Sequence, residues 1–370
     1  MRLQRLLMST DAIGGVWTYA LDMATCLAEH GTDVLLVVLG PAPSAEQRRN
    51  AARIPHLVLT HANYPLEWAP GGPARQPAAG EWLLGLARDW QPDVVHLNHY
   101  SHGHLPWGVP CVVVAHSCVF SWFQHVRKAL PDDSWTSYRD SVTRGLRGAD
   151  AVVAPSAAML ADVQRFYGPL RRVEVIPNGR EPDVAMPLYK RPYVFCAGRL
   201  WDEAKNIELI RCEVSALSWP LHLAGEVRHP DGGQLPRWGV GRGVRLLGTL
   251  GSAAMAQAYG HASIYVLPAR YEPFGLSALE AALAGCALVL SDIASLRENW
   301  SGVAEFVDPD DGWGFRQAIE RLIADPELRR RRGRDARARA RRFSARGMAK
   351  SYLRLYGDLQ QQRELQPCAS

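Results

Sequence analysis

The chain has 370 residues, 47% apolar and 21% charged, long enough for two domains that each bury a core. Its longest apolar runs, such as Leu35–Leu39 and Cys111–Ala115, are too short for a membrane span, and seven cysteines without C-x-x-C spacing indicate a reducing, cytoplasmic location and no metal site. The net charge of +5 is local: Arg329 to Arg346 holds ten arginines against Asp335, a balance of +9, so the remainder carries 5 − 9 = −4. That excludes a nucleic-acid surface spread over the protein.

In chain order, Leu3 to Met8 predicts a strand with no signal peptide around it, then a loop ending in Gly14-Gly15. Val16 to His30 has helical periodicity and stops at Gly31, and Thr32 to Leu39 is a second strand. The double glycine admits two readings: a tight turn, or backbone N–H groups brought to a phosphate or sugar. It lacks the dinucleotide spacing G-x-G-x-x-G. Pro41 to Pro77 predicts a short strand near Leu57–Leu59 and a long loop; a helix follows over Glu81–Trp90 and a strand over Val94–Leu97.

Four histidines, His96, His99, His102 and His104, come next, without the helix spacing or cysteine support that a metal site would need. Cys111 to Ala115 is a strand ending in His116, and a side chain at the carboxyl end of an inner parallel strand faces a ligand crevice. Phe120, Trp122, Phe123 and His125 suit either sugar stacking or core packing. Ser134–Arg147 predicts a helix, Ala151–Ala154 a strand, and Ser156 caps a helix reaching Tyr167. After Val173–Gly179, the proline-rich stretch to Pro192 reads as a linker. Strands are expected at Tyr193–Ala197, Leu221–Ala224 and Val244–Leu247, and a helix at Ala253–His261.

The most chemical stretch runs from Ile264 to Glu298. Ile264–Leu267 is a buried strand, Pro268–Gly275 a loop carrying Glu272, Leu276–Gly285 a helix and Ala287–Leu290 the next strand. The helix opening, Phe274-Gly275-Leu276-Ser277, offers free N–H groups to an anion such as a diphosphate. Glu280 lies about 40° around the wheel from Leu276, beside the Leu276–Leu279–Leu283 stripe, where a carboxylate needs a partner. Gly314–Ile323 and Ala345–Gln361 are further helices. Ala336, Ala340 and Phe343 give the arginine-rich stretch one packed side; its other side is either solvated or in contact with anionic lipid.

Three motifs stand in order: Val175-Ile176-Pro177-Asn178-Gly179; Gly198-Arg199-Leu200 followed by Lys205-Asn206; and E-P-F-G-L-S-A-L-E from Glu272 to Glu280. This set resembles glycosyltransferase family 4, retaining enzymes of the GT-B fold. The resemblance implies an α/β protein of two Rossmann-like α/β/α domains facing each other across a cleft. The first, 1–180, would be the acceptor side; 181–192 the linker; 193–344 the nucleotide-sugar domain; and 345–370 a helix returning to the first. It implies retaining, metal-independent transfer from a UDP- or GDP-sugar to a glycan, lipid-linked or small-molecule acceptor, with no cofactor.

By the same resemblance, His116 meets the donor sugar, Arg199 and Lys205 clasp the diphosphate, and Glu272 contacts the transferred sugar. Gly14, Gly15, Phe274, Gly275, Leu276 and Ser277 line the donor, Thr249 and Leu250 hold the base by their backbone, and Glu280 holds the ribose. His99 and Trp122 are acceptor-side candidates. The Arg329–Arg346 helix is the candidate for peripheral membrane contact. A nucleotide-sugar 2-epimerase of the same fold and a non-catalytic nucleotide-sugar-binding protein are the alternatives. The literal Asp308-Pro309-Asp310 reads as a solvated turn, not a metal motif.

Overall fold

A computed structural model describes residues 3–181, 189–213, 217–228 and 243–365. Most of the expected linker, 182–188, and the tail 366–370 lie outside the described residues. The described residues form two compact units, one from those of 3–124, 129–179 and 345–365, the other from those of 125–128 and 180–344.

The first unit is built on seven parallel strands: β1 (Arg5–Asp11), β2 (Asp33–Leu39), β3 (Leu57–Ala62), β4 (Val94–Leu97), β5 (Cys111–Val114), β6 (Ala151–Ala154) and β7 (Val173–Val175). Their order is β3-β2-β1-β4-β5-β6-β7, so the winding reverses between β1 and β4. β1 runs on to Asp11, past the end expected at Met8, because Ser9, Thr10 and Asp11 stay in register with Val37, Val38 and Leu39. One helix and the start of another were not legible in the proline-rich stretch. Ala45–Ala51 starts from a capping box between Ser44 and Gln47. Gly72–Trp90 begins nine residues before the expected start, with a proline in its first turn, where a missing N–H is harmless, and Pro77 inside it. The helix Ala345–Leu365 packs Met348, Tyr352, Leu355, Tyr356 and Leu359 into this unit's core.

The second unit holds β8 (Arg191–Ala197), β9 (Leu221–Ala224), β10 (Val244–Gly248), β11 (Ala262–Leu267), β12 (Ala287–Ser291) and β13 (Glu305–Val307). All pair in parallel in the order β10-β9-β8-β11-β12-β13, which reverses between β8 and β11. Apolar runs feed two cores by alternation. Ile264 and Val266 enter one with Val194 and Cys196, while Tyr265 and Leu267 enter the other with Phe195 and Ala197.

The arginine-rich stretch is not one helix. Pro326–Ala340 ends, a turn follows at 341–344, and the next helix starts at Ala345. The break lets Phe343 reach Phe274 and Trp300, at 5.7 and 5.8 Å between ring centroids. Gly333 marks the closest approach of the Pro326–Ala340 helix, since a Cβ there would lie 2.4 Å from the Gly285 carbonyl oxygen. Gly333→Ala should therefore destabilise. The helix-propensity gain of about 1 kcal/mol is outweighed by a backbone clash, overpacking costing about 1–3 kcal/mol. A thermal midpoint at or above that of the wild type would contradict this packing.

Candidate active site

In a doubly wound sheet, the loops leaving neighbouring strands at the reversal diverge to opposite faces and open a crevice. In the second unit those loops leave β8 and β11, and they carry the predicted residues. The β8 loop turns tightly enough that a Cβ on Gly225, at the end of β9, would lie 1.7 Å from the Gly198 carbonyl oxygen. Gly198 N–H donates to the Ala224 carbonyl at 3.0 Å, and Leu200 N–H to Glu226 at 2.8 Å.

Beyond that turn, Lys205 Nζ meets Glu272 Oε2 at 2.5 Å, with side chains only 16% and 12% exposed. Glu272 is held from two further directions. Gly275 N–H donates to Oε1 at 3.0 Å, and the Ser295 hydroxyl donates to the Glu272 carbonyl. Arg199 is bound to Asp202, from Nη2 at 2.7 Å and Nε at 3.2 Å. Burial raises the Asp202 carboxyl, but Arg199 and Lys205 beside it win and hold it below the usual range. Asp202 thereby fixes the guanidinium while it also accepts from Ala204 N–H at 2.9 Å.

Asn206, in left-handed conformation, laces the loops: its Nδ2 donates to Pro268 at 3.0 Å and to Pro309 at 2.7 Å. Arg270 N–H donates to Ala204 at 2.9 Å. Asp310 pairs with Arg270 at 3.0 Å, and Asp308 accepts from Asp310 N–H, so the D-x-D carboxylates serve the turn. Among the described residues no group of three His, Cys, Asp or Glu side chains is placed to hold a metal ion.

The helix Leu276–Leu283 starts from Gly275 at φ 89°, and no side chain caps it. Ala278, Leu279, Ala281, Ala282 and Leu283 are buried, leaving Leu276, Ser277 and Glu280 partly open on one side. Phe274 is a core side chain against Phe343, so only its backbone can meet a ligand. Glu280 has a partner the sequence reading missed: Arg180 Nη2, at 3.1 Å. Thr249 is exposed after β10, and Leu250 packs against the core.

In the first unit, Gly14 has φ 74°, and Gly15 opens a helix without a side-chain cap; both are exposed. His116 follows β5 and is half-buried, its Nε2 2.8 Å from Asn98 Oδ1 and its ring 4.6 Å from that of Tyr19. His99 is 5% exposed, with Nδ1 3.2 Å from Ser9 Oγ and Nε2 3.8 Å from Asp11. Trp122 is half-buried, edge-on to Phe123. His102 and His104 donate to backbone carbonyls of Gln76 and Ser101, and His96 meets Tyr356 at 2.5 Å. The buried carboxylate of Glu67 holds the loop after β4 by accepting from Tyr100 N–H and from Ser101 N–H and hydroxyl.

With this geometry in hand, comparison with known proteins fixes the class. Residues 13–184 match the family described as Glycosyltransferase Family 4, and residues 191–325 match Glycosyl transferases group 1. The chain is 30% identical to the glycogen synthase of Mycobacterium tuberculosis, over 88% of this chain and 86% of that protein. It is 24% identical to the D-inositol 3-phosphate glycosyltransferase of Stackebrandtia nassauensis, over 97% and 90%. The sucrose-phosphate synthase of Thermosynechococcus elongatus superposes with a TM-score of 0.79 at 21% identity, covering 96% of this chain and 99% of that one. Anabaena HepE, solved with UDP and glucose, gives 0.76 at 16%, covering 96% and 100%. The two parallel-sheet units are the GT-B fold. The chain belongs to glycosyltransferase family 4 and is a glycosyltransferase.

Burial pushes four histidines of the first unit down, to about 3 for His99 and His116 and about 4 for His96 and His102, from an ordinary 6.5. The sign follows by linkage: below 6.5 the unfolded chain takes up protons that the folded chain refuses. Stability is therefore full above 6.5 and is lost as pH falls towards 4, by about 1.4 kcal/mol per pH unit for each group. Glu67, whose carboxyl burial pushes up, opposes this with one group against four. Over two pH units four such groups remove about 11 kcal/mol, comparable with a whole stability of about 5–15 kcal/mol, so urea midpoints should fall steeply from pH 6.5 to 5. A flat profile would show that these histidines are not held neutral.

Proposed function

We propose that the chain transfers a glycosyl group, with retention of configuration and without a metal, from a UDP- or GDP-sugar to a glycan, lipid-linked or small-molecule acceptor. The observation that carries this reading is the Lys205–Glu272 pair at the strand-order reversal of the second unit, beside Arg199 and an uncapped helix N-terminus. As the glycosidic bond breaks, negative charge grows on the departing diphosphate. Arg199, Lys205 and the N–H groups of Leu276 and Ser277 stabilise it where a metal otherwise would, while the Gly275 N–H holds Glu272. The departing oxygen takes the proton of the attacking acceptor hydroxyl on the same face of the sugar.

In this reading Glu272 and His116 contact the transferred sugar, Glu280 holds the ribose with Arg180 behind it, and the backbone at Thr249–Leu250 meets the base. Gly14 and Gly15 lie at the diphosphate, and His99 and Trp122 serve the acceptor side. Residues 193–344 form the donor domain, 1–180 with the helix beyond Ala345 the acceptor domain, and 181–192 the linker. The donor class is supported by the UDP and glucose bound to Anabaena HepE. Among the described residues no helix is long and apolar enough to cross a membrane. Arg331, Arg334, Arg341 and Arg342 are exposed and form the surface for a peripheral contact with anionic lipid. A cytoplasmic location fits the six described cysteines, all free thiols.

Calorimetry with UDP-glucose and GDP-mannose in the presence of EDTA tests the site. Wild type should bind one of them. Lys205→Ala and Glu280→Ala should each weaken it at least tenfold, the loss expected when a charge-assisted hydrogen bond of about 1.5–3 kcal/mol is removed. Thermal midpoints identify any variant that has merely unfolded. Binding abolished by EDTA, or undiminished in folded variants, overturns the assignment, and an inverted product anomer in NMR overturns retention.

A further inference from the structure

His116 is oriented by a residue that no motif announced. Asn98 follows β4, and its amide is pinned to β1. Its Nδ2 donates to the Ser9 carbonyl at 2.7 Å, and its backbone N–H donates to Ser9 Oγ at 3.0 Å. A carbonyl can only accept, so the amide nitrogen has to face Ser9 and the amide oxygen has to face the other way. That oxygen lies 2.8 Å from His116 Nε2. An amide oxygen also only accepts, so Nε2 has to carry the hydrogen. The groups around the ring do not charge it: Tyr19 is edge-on at 4.6 Å, and burial with His96 and His99 nearby holds its pKa to about 3. A neutral ring with its hydrogen on Nε2 has a bare lone pair on Nδ1, and among the described residues no hydrogen bond engages that atom.

We infer that Asn98 is a positioning residue that selects the Nε2–H tautomer of His116, so that the ring turns a lone pair on Nδ1, not an N–H, to its ligand. This rests on the reading of His116 as a donor-sugar contact: a sugar hydroxyl donates to the Nδ1 lone pair.

The Asn98→Asp variant inverts this logic. It places an anion against His116 Nε2 and removes the amide donor from Ser9, so the ring takes a second proton and Nδ1 becomes a donor. The experiment uses the full chain labelled with ¹⁵N-histidine, with the His116 signals identified by their loss in His116→Gln. Two-bond H–N spectra should show a neutral Nε2–H ring in wild type down to pH 5.5, and an imidazolium at pH 6.5 in Asn98→Asp. Calorimetry with UDP, UDP-glucose, GDP and GDP-mannose should show that wild type binds one nucleotide sugar more tightly than its bare nucleotide. Asn98→Asp should weaken the nucleotide sugar at least tenfold while binding of the bare nucleotide stays within twofold.

An Nδ1–H or charged ring in wild type, or a folded Asn98→Asp with unchanged spectrum and unchanged nucleotide-sugar affinity, overturns the inference. Should Asn98→Asp not fold, the wild-type spectrum decides. Failure of wild type to bind any nucleotide sugar would sink the functional reading instead, while the spectrum still decides the tautomer.

Discussion

The reversal of strand order between β8 and β11 is the constraint on which the second unit's chemistry depends. Neighbouring loops that leave a parallel sheet in opposite directions cannot cover the crevice between them, so polar side chains at their bases stay reachable yet half dry. Lys205 and Glu272 come from those two loops and meet across the gap. A pair this buried resists one-sided loss, because the surviving charge would have no counter-ion; that costs about 3–5 kcal/mol. The pair therefore holds the two loops in register. Asn206 adds a second tie, reaching carbonyls of both the β11 and β13 loops.

The arginine excess has a related physical explanation. Helix ends expose carbonyls that need donors, and a guanidinium supplies several in a fixed plane. Arg339 donates to the carbonyls of Asn299 and Ser301, and Arg332 to that of Gly302, at the end of one helix. Arg329 donates to Leu322 and Ile323 at the end of another, stacked over Trp219. Arg332 and Arg321 share Glu305. A good part of a segment that reads as surface charge thus satisfies backbone groups inside its own unit.

Most strands were legible because buried parallel strands are short apolar runs between turn residues, as at β2, β4, β5, β6, β11 and β12. The proline-rich region was not, because Pro73 and Pro77 mimic a loop; Pro73 sits in the tolerant first turn of its helix and Pro77 is carried inside it. The continuous basic helix failed for a tertiary reason: Phe343 is drawn to Phe274 and Trp300, and helical spacing cannot report a turn made for a distant core contact. In the site, residues inside motifs could be named. Their holders could not: Arg180 lies in apparent linker, Asp202 is only an acid three residues after Arg199, and Asn98 is far in sequence from His116. A partner found through the fold leaves no spacing to count.

The first unit shows how far such partners reach. Asn98 Oδ1 is within 3.3 Å of His96 Nε2 as well as 2.8 Å from His116, and His96 Nδ1 meets the Tyr356 hydroxyl on the carboxyl-terminal helix. If Nε2 of His96 donates to Asn98, its Nδ1 accepts from Tyr356, whose own proton burial holds firmly. His96 Nε2 has a second neighbour in the Tyr19 hydroxyl at 3.2 Å, but the Asn98 amide is fixed from the other side, by the Ser9 carbonyl on β1, which can only accept. The helix Ala345–Leu365 thus does more than cover a hydrophobic face. It adds the Tyr356 hydroxyl to the hydrogen-bonded group of His96 and Asn98, whose other end is the imidazole after β5.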